Sequence, residues 1–127
     1  LQSRDFVYIE DAVDATILGI EKEQANGEIF NVGTGRFTSV KDVAESLKTI
    51  YFRDKIKIDI SGKYREGDIR KSRADLTKIK NILGYSTKLY DFQVGLSHFG
   101  KWVCKTGVPL DKYDDSLQEL NDNGLIR

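Results

Sequence analysis

A chain of 127 residues, 39% hydrophobic and 31% charged, has enough apolar material for one core of ordinary domain size, which excludes bulk disorder. Lys+Arg and Asp+Glu each number 20, so there is no overall basic excess for DNA or RNA to read. No apolar run is long enough to span a membrane, nothing reads as a signal peptide, and the single cysteine, Cys104, cannot form an intrachain disulfide, which suits a reducing, cytoplasmic setting.

The chain starts at Leu1, contains no Met, and runs almost at once into Phe6-Val7-Tyr8-Ile9. These features read as a processed chain or a piece of a longer one, cut inside or just before a structured element. Phe6 to Ile9 is rich in β-formers and reads as a buried strand or as the entry to the next helix. That helix is expected over Glu10 to Glu23, with Val13, Ile17 and Ile20 on one face and Glu10, Asp11 and Asp14 in the first turn, where negative charge suits the helix dipole. Asn26-Gly27 signals a turn, Glu28 to Val32 a strand, and Gly33-Thr34-Gly35 a second turn.

Thr38 or Ser39 caps a helix over Val40 to Phe52, whose stripe is Val40, Val43, Ala44, Leu47, Ile50 and Tyr51. Lys55 to Ile60 alternates apolar and charged residues, as a half-buried strand does. Asp75 caps a short helix carrying Leu76, Ile79, Ile82 and Leu83, which Gly84 stops in the left-handed position. Asp91 opens a helix to about Lys105, Pro109 marks a break, and Asp114 to Asn123 reads as a terminal helix closed by Gly124. The pattern is α/β, with few short strands and about five helices. Three strands at most are too few for a doubly wound sheet, so some apolar face should meet a further part of a larger α/β protein.

Four features compete as carriers of chemistry. Gly33-Thr34-Gly35 follows a strand and precedes a helix, as a dinucleotide loop does, but Thr38 stands where the third glycine belongs. Asp54 lies at about the spacing of a ribose-binding acid, yet after a helix, so the turn reads mainly as an entry to the helix at Val40. Tyr51 and Lys55 spell Tyr-x-x-x-Lys, a spacing at which an ammonium could lower a phenol pKa; Tyr51 also continues the apolar stripe of its helix, and core packing is the commoner use. His98 lacks partners for a metal site or a nucleophile–base pair and reads as a surface or partly buried residue, and Cys104 as a small core residue. The fourth is Tyr64-Arg65-Glu66-Gly67-Asp68-Ile69-Arg70. Its arginine forks match phosphate oxygens, its glycine lets the backbone turn, and its carboxylates accept from sugar hydroxyls. Alone, the same loop also reads as a solvated turn with surface ion pairs.

The ordered series Arg4-Asp5-Phe6-Val7-Tyr8-Ile9-Glu10-Asp11, Asn31-Val32-Gly33-Thr34-Gly35, Ser39-Val40, Arg65-Glu66-Gly67-Asp68-Ile69-Arg70, Ala74-Asp75 and Leu83-Gly84-Tyr85 resembles the C-terminal part of the extended short-chain dehydrogenase/reductase family. Within it the match is to the NAD-dependent epimerases and dehydratases of nucleotide sugars, UDP-glucose 4-epimerase-like, over about residues 3 to 103. Leu117 to Leu120 and Gly124-Leu125 resemble some 4-epimerase tails more weakly.

The resemblance implies that residues 1–110 are the C-terminal, nucleotide-sugar-binding region of an extended Rossmann-type enzyme and 111–127 a helical tail. By the same resemblance, the Rossmann domain, with its NAD loop and catalytic Tyr-x-x-x-Lys, is absent from this chain. Arg4 then reaches the diphosphate side of the substrate, Arg65 grips the diphosphate, and Asp68 lies near the nucleotide ribose; Arg70 stands at a variable family position and is given no firm role. In the family reaction NAD takes hydride from the sugar while a tyrosinate takes a proton. Tyr51 and Lys55 follow the Gly-Thr-Gly turn, whereas the family's catalytic pair precedes the Arg-Asp-Phe segment, so neither they nor Gly33 and Gly35 carry those roles. The expectation is therefore a substrate-binding portion, most simply of a 4-epimerase, that is inactive and binds no NAD by itself. Its partners are a nucleoside-diphosphate sugar and the Rossmann domain, with no catalytic, cofactor or metal residues of its own, and with a homodimer built, if at all, on upstream helices. A 4,6-dehydratase portion, a non-catalytic relative, and an unrelated small α/β module remain alternatives.

Overall fold

The computed structural model describes residues 2–51, 55–88, 92–107 and 110–126. A two-residue strand β1 (Ser3–Arg4) leads through an irregular Phe6–Tyr8 segment into helix α1 (Ile9–Glu21), so Phe6 to Tyr8 is the approach to a helix and not a strand. A single 3-10 turn, Glu23–Ala25, follows α1 where the helix was expected to continue. Strand β2 (Thr38–Ser39) pairs antiparallel with β1, Ser3 opposite Ser39 and Arg4 opposite Thr38. It runs into α2 (Val40–Ile50), then α3 (Thr77–Leu83), α4 (Phe92–Thr106) and α5 (Tyr113–Asp122). Five helices and two short strands thus make up the regular structure among the described residues.

Local chemistry sets the helix ends. Ser39 caps α2 in a reciprocal box: its hydroxyl accepts from the Asp42 amide at 3.0 Å, and the Asp42 carboxylate accepts from the Ser39 amide at 3.3 Å. Asp75 lies just ahead of α3 and accepts from the Thr77 amide at 2.9 Å, while Leu76 holds the formal cap position. Gly84 ends α3 at φ 66°, a conformation that costs a side-chain-bearing residue but not glycine. Phe52, Asp54, Asp91 and Pro109, named above as a helix end, a ribose-binding candidate, a helix start and a break, lie outside the described residues.

The core is small: Ala15, Leu76, Ile79, Leu83 and Tyr85 are buried, with Leu18, Ala25, Phe30 and Ala74 packed around them. It joins α1 to α3. A second contact joins α2 to α4, where Gly100 lets the Ile50 and Tyr51 side chains lie against α4, and Gly95 gives room to the Tyr8 ring. Tyr51 is half-buried there and its hydroxyl reaches the Gly100 carbonyl at 3.5 Å, which is a packing role.

Two expected strands are not formed. Glu28 to Val32 and Lys55 to Ile60 are irregular. A strand needs a neighbour to receive its backbone hydrogen bonds, and neither segment pairs with a strand among the described residues. Ile9, Val13, Ile17 and Ile20 of α1 face outward, Ile20 at 80% exposure, and Ile29 is 85% exposed. Cys104, expected in a core, is exposed on α4.

Candidate functional site

Arg4 and Asp68 meet although 64 residues separate them. The cause is backbone pairing. On the side of β1 away from β2, the Ser3 amide donates to the Arg70 carbonyl at 3.0 Å and the Ser72 amide donates to the Ser3 carbonyl at 3.2 Å. This parallel bridge draws the arginine loop alongside β1. The Arg4 guanidinium then lies 2.7 Å from Asp68 Oδ1 and also donates to the Ser3 carbonyl at 2.9 Å. The Gln2 amide nitrogen donates to Asp68 Oδ2 at 2.5 Å, so both oxygens of that carboxylate are engaged. Gly67 turns the loop at φ 79°, and the Asp68 amide closes it on the Arg65 carbonyl at 3.1 Å.

Arg65 is held differently. Its backbone pairs with Ile126 in an antiparallel bridge, and the Glu66 amide donates to the Leu125 carbonyl at 2.9 Å. Its side chain is exposed and has no ion pair among the described residues. Arg65, Asp68 and Gln2 line one cleft of about 620 Å³, a size that fits a ligand of nucleotide dimensions. Asp68 and Gln2 also wall an adjoining cleft of about 600 Å³, where Lys41, Lys63 and Arg70 bring further positive charge. Of the three residues singled out by sequence, Arg4 and Asp68 are in contact and Arg65 shares a cleft with Asp68.

Sequence reasoning left Asp5 without a role, and it ties the 33–35 turn to Ala74. Its Oδ1 accepts from the Thr34 amide at 2.8 Å and from the Thr34 hydroxyl. Its Oδ2 accepts from the Gly35 amide at 2.9 Å and the Ala74 amide at 3.2 Å. Burial by itself raises the pKa of this carboxyl, but the hydrogen bonds from Thr34, Gly35 and Ala74 outweigh it and hold the group below its ordinary value of 3.8. The only sequence signal was an aspartate beside Arg4 combined with a turn rich in free amides.

Asp5 also explains the Gly-Thr-Gly turn. A Cβ on Gly33 would sit 2.6 Å from Asp5 Oδ2 and 2.9 Å from the Ala74 Cβ, so the glycine makes room for the carboxylate. The Gly33 carbonyl accepts from the buried Tyr85 hydroxyl at 3.1 Å. Burial, followed by the nearby charges of Asp11, Asp5 and Asp14, pushes that phenol up to about 12, so it stays a donor at neutral pH. Gly33→Ala is expected to destabilise the chain by about 1–3 kcal/mol through overpacking. Urea unfolding measures it, and a change below about 0.5 kcal/mol would show that the loop gives way freely.

The remaining candidates do not join this site. His98 is exposed and its ring meets the Tyr8 ring edge-on at 5.7 Å. Among the described residues no three His, Cys, Asp or Glu side chains come together as a metal site would need, and no helix is long and apolar enough to cross a membrane.

Residues 1–33 match the model of the NAD dependent epimerase/dehydratase family. UDP-D-apiose/UDP-D-xylose synthase 2 of Arabidopsis thaliana is 39% identical over 98 residues, 67% of this chain and 25% of that protein. The structure of UDP-glucose 4-epimerase from Thermotoga maritima, solved with UDP-glucose, superposes with a TM-score of 0.72 at 39% identity, covering 83% of this chain and 32% of that one. UDP-glucuronic acid 4-epimerase from Bacillus cereus, solved with UDP-glucuronic acid and NAD, superposes at 0.73 with 25% identity, covering 84% and 33%. The chain therefore spans between 25% and 33% of the length of these proteins.

Proposed function

Because this chain belongs to the NAD-dependent epimerase/dehydratase family, we propose that it is the nucleotide-sugar-binding portion of a 4-epimerase, holding a nucleoside diphosphate while the sugar is turned over elsewhere. The observation that carries this reading is the meeting of Arg4 and Asp68 at 2.7 Å beside a cleft that Arg65 also lines. In the free chain Asp68, itself held by Gln2, and the Ser3 carbonyl hold the Arg4 fork in place. An arriving diphosphate offers it stronger acceptors, Arg65 adds a second fork, and Asp68 is released to accept from a ribose hydroxyl. Remote contacts of this kind place the reacting sugar carbon without touching it.

NAD does not fit the residues described. The Thr34 and Gly35 amides, the nearest thing to a phosphate cradle, already donate to Asp5, and the space above Gly33 is filled by Asp5 and Ala74. No hydride step is therefore assigned to this chain. In this reading the cofactor and the proton-transfer groups belong to a Rossmann module, which seats on the outward apolar face of α1. That face is Ile9, Val13, Ile17 and Ile20. The length of the relatives leaves ample room for such a module.

Titration calorimetry of the full-length enzyme tests the reading. UDP is expected to bind about 100-fold more tightly than uridine, with affinity falling as salt rises, because the diphosphate contacts are charged. Equal affinity for uridine and UDP rules the diphosphate grip out.

A further inference from the structure

We propose that the cleft between the 33–36 segment and α3 is a second anion site, fitted to a small phosphorylated ligand and separate from the cleft that Arg65 lines. It goes beyond the nucleotide-binding reading and does not depend on it.

Two hydrogen-bonded ties set the walls before any ligand arrives. The Asp5 carboxylate accepts from the Thr34 and Gly35 amides and from the Ala74 amide, which lays residues 73–75 against the turn. The buried Tyr85 hydroxyl donates to the Gly33 carbonyl at 3.1 Å, which fastens the chain just past the end of α3 to the same turn. Between these ties lies a cleft of about 830 Å³, within the range of small-molecule sites. It shares no residue with the two clefts beside Asp68.

Positive charge gathers in it. Arg36, Arg73 and Lys80 line the cleft against one carboxylate, Asp75, which turns Oδ1 to the Thr77 amide and hydroxyl. The whole chain balances 20 cations against 20 carboxylates, so this excess is local. The Arg73 guanidinium lies over the Phe37 ring, 5.1 Å from its centre, a contact that restrains the fork. Neither Arg73 nor Lys80 has an ion pair among the described residues. Lys22 brings a further ammonium to the rim, its Nζ 3.8 Å from where a Cβ on Gly84 would stand. Guanidinium forks and ammonium groups both meet phosphate oxygens, and a concave wall of one sign draws in the opposite charge.

The test titrates inorganic pyrophosphate into the full-length enzyme held at saturating UDP, so that the Arg65 cleft is already filled. Pyrophosphate is expected to bind with a dissociation constant below about 1 mM and to weaken as salt rises. The double variant Arg73→Gln, Lys80→Gln is expected to weaken it by about tenfold or more and to leave UDP within twofold of wild type. Both side chains are exposed, so the variant should keep the wild-type urea midpoint. Pyrophosphate binding weaker than about 1 mM, or binding that the double variant leaves within twofold, overturns the proposal and makes these cations a solvated surface. If UDP does not bind, the nucleotide reading falls, while pyrophosphate on wild type against the double variant still decides this one.

Discussion

Asp5→Asn is expected to destabilise the chain by about 2–4 kcal/mol, because hydrogen bonds to a charged group are worth about 1.5–3 kcal/mol each and this one carboxylate collects four donors. Asparagine keeps one oxygen. Whichever way it turns, its NH2 group must face either the Thr34 pair of donors or the Gly35 and Ala74 amides, and those are left unsatisfied. Partial burial keeps the estimate below the sum of the four bonds. The pH dependence follows from the lowered folded-state pKa. A carboxyl that is more acidic in the folded chain stabilises it fully above the unfolded value, near 3.8, and that stabilisation is lost as pH falls through the lower folded value. The gap between wild type and Asp5→Asn should therefore be widest at neutral pH and close on acidification below 3.8. Urea unfolding at a series of pH values measures it. A gap that is small, or that stays constant into acid, would mean that Asp5 is not the charged anchor of the 33–35 turn.

Arg65→Ala should separate binding from folding. Its side chain is exposed and without an ion pair among the described residues, so unfolding should shift by no more than about 0.5 kcal/mol. UDP affinity in the full-length enzyme should fall about 100-fold, the scale of losing one charged contact to a phosphate. Arg65→Lys should recover only part of this, since an ammonium is a point charge and cannot present the planar fork. Arg4 is the less clean target: removing it also leaves Asp68 facing the ligand as an uncompensated negative charge. Unchanged UDP affinity for Arg65→Ala by calorimetry removes the central support of the proposed function.

Helix positions were legible to within one or two residues, and the reasons are local. Ser39 with Asp42 spells a capping box, Gly84 follows an apolar heptad-like run, and the acidic start of α1 suits its dipole. The strands were not legible. Glu28 to Val32 and Lys55 to Ile60 have the composition of strands, but composition cannot supply a partner. The two strands that do form, Ser3–Arg4 and Thr38–Ser39, are too short to leave a period in the sequence. Cys104 failed for a related reason: a position near an apolar face of α4 is buried only if something lies over it.

By itself, then, the sequence determined the α/β character and the five helices, with the Ser39 and Gly84 caps, each of which depends on residue chemistry or on spacing within a few positions. Arg4, Arg65 and Asp68 as site candidates, and the setting aside of Tyr51 and the Gly-Thr-Gly turn, came from the order of motifs along the whole chain and its family resemblance. Tertiary structure alone decided that Arg4 is paired with Asp68 while Arg65 has no ion pair among the described residues, that Asp5 ties the 33–35 turn to Ala74, and that Leu125 and Ile126 pair with the backbone of the arginine loop. Those contacts join residues 29 to 69 apart, and the tail bond from Leu125 to Glu66 is of the same kind. A carboxylate has no period and no propensity that says which distant amide it will meet. Only the path of the backbone, set by β1 pairing on both of its edges, brings them together.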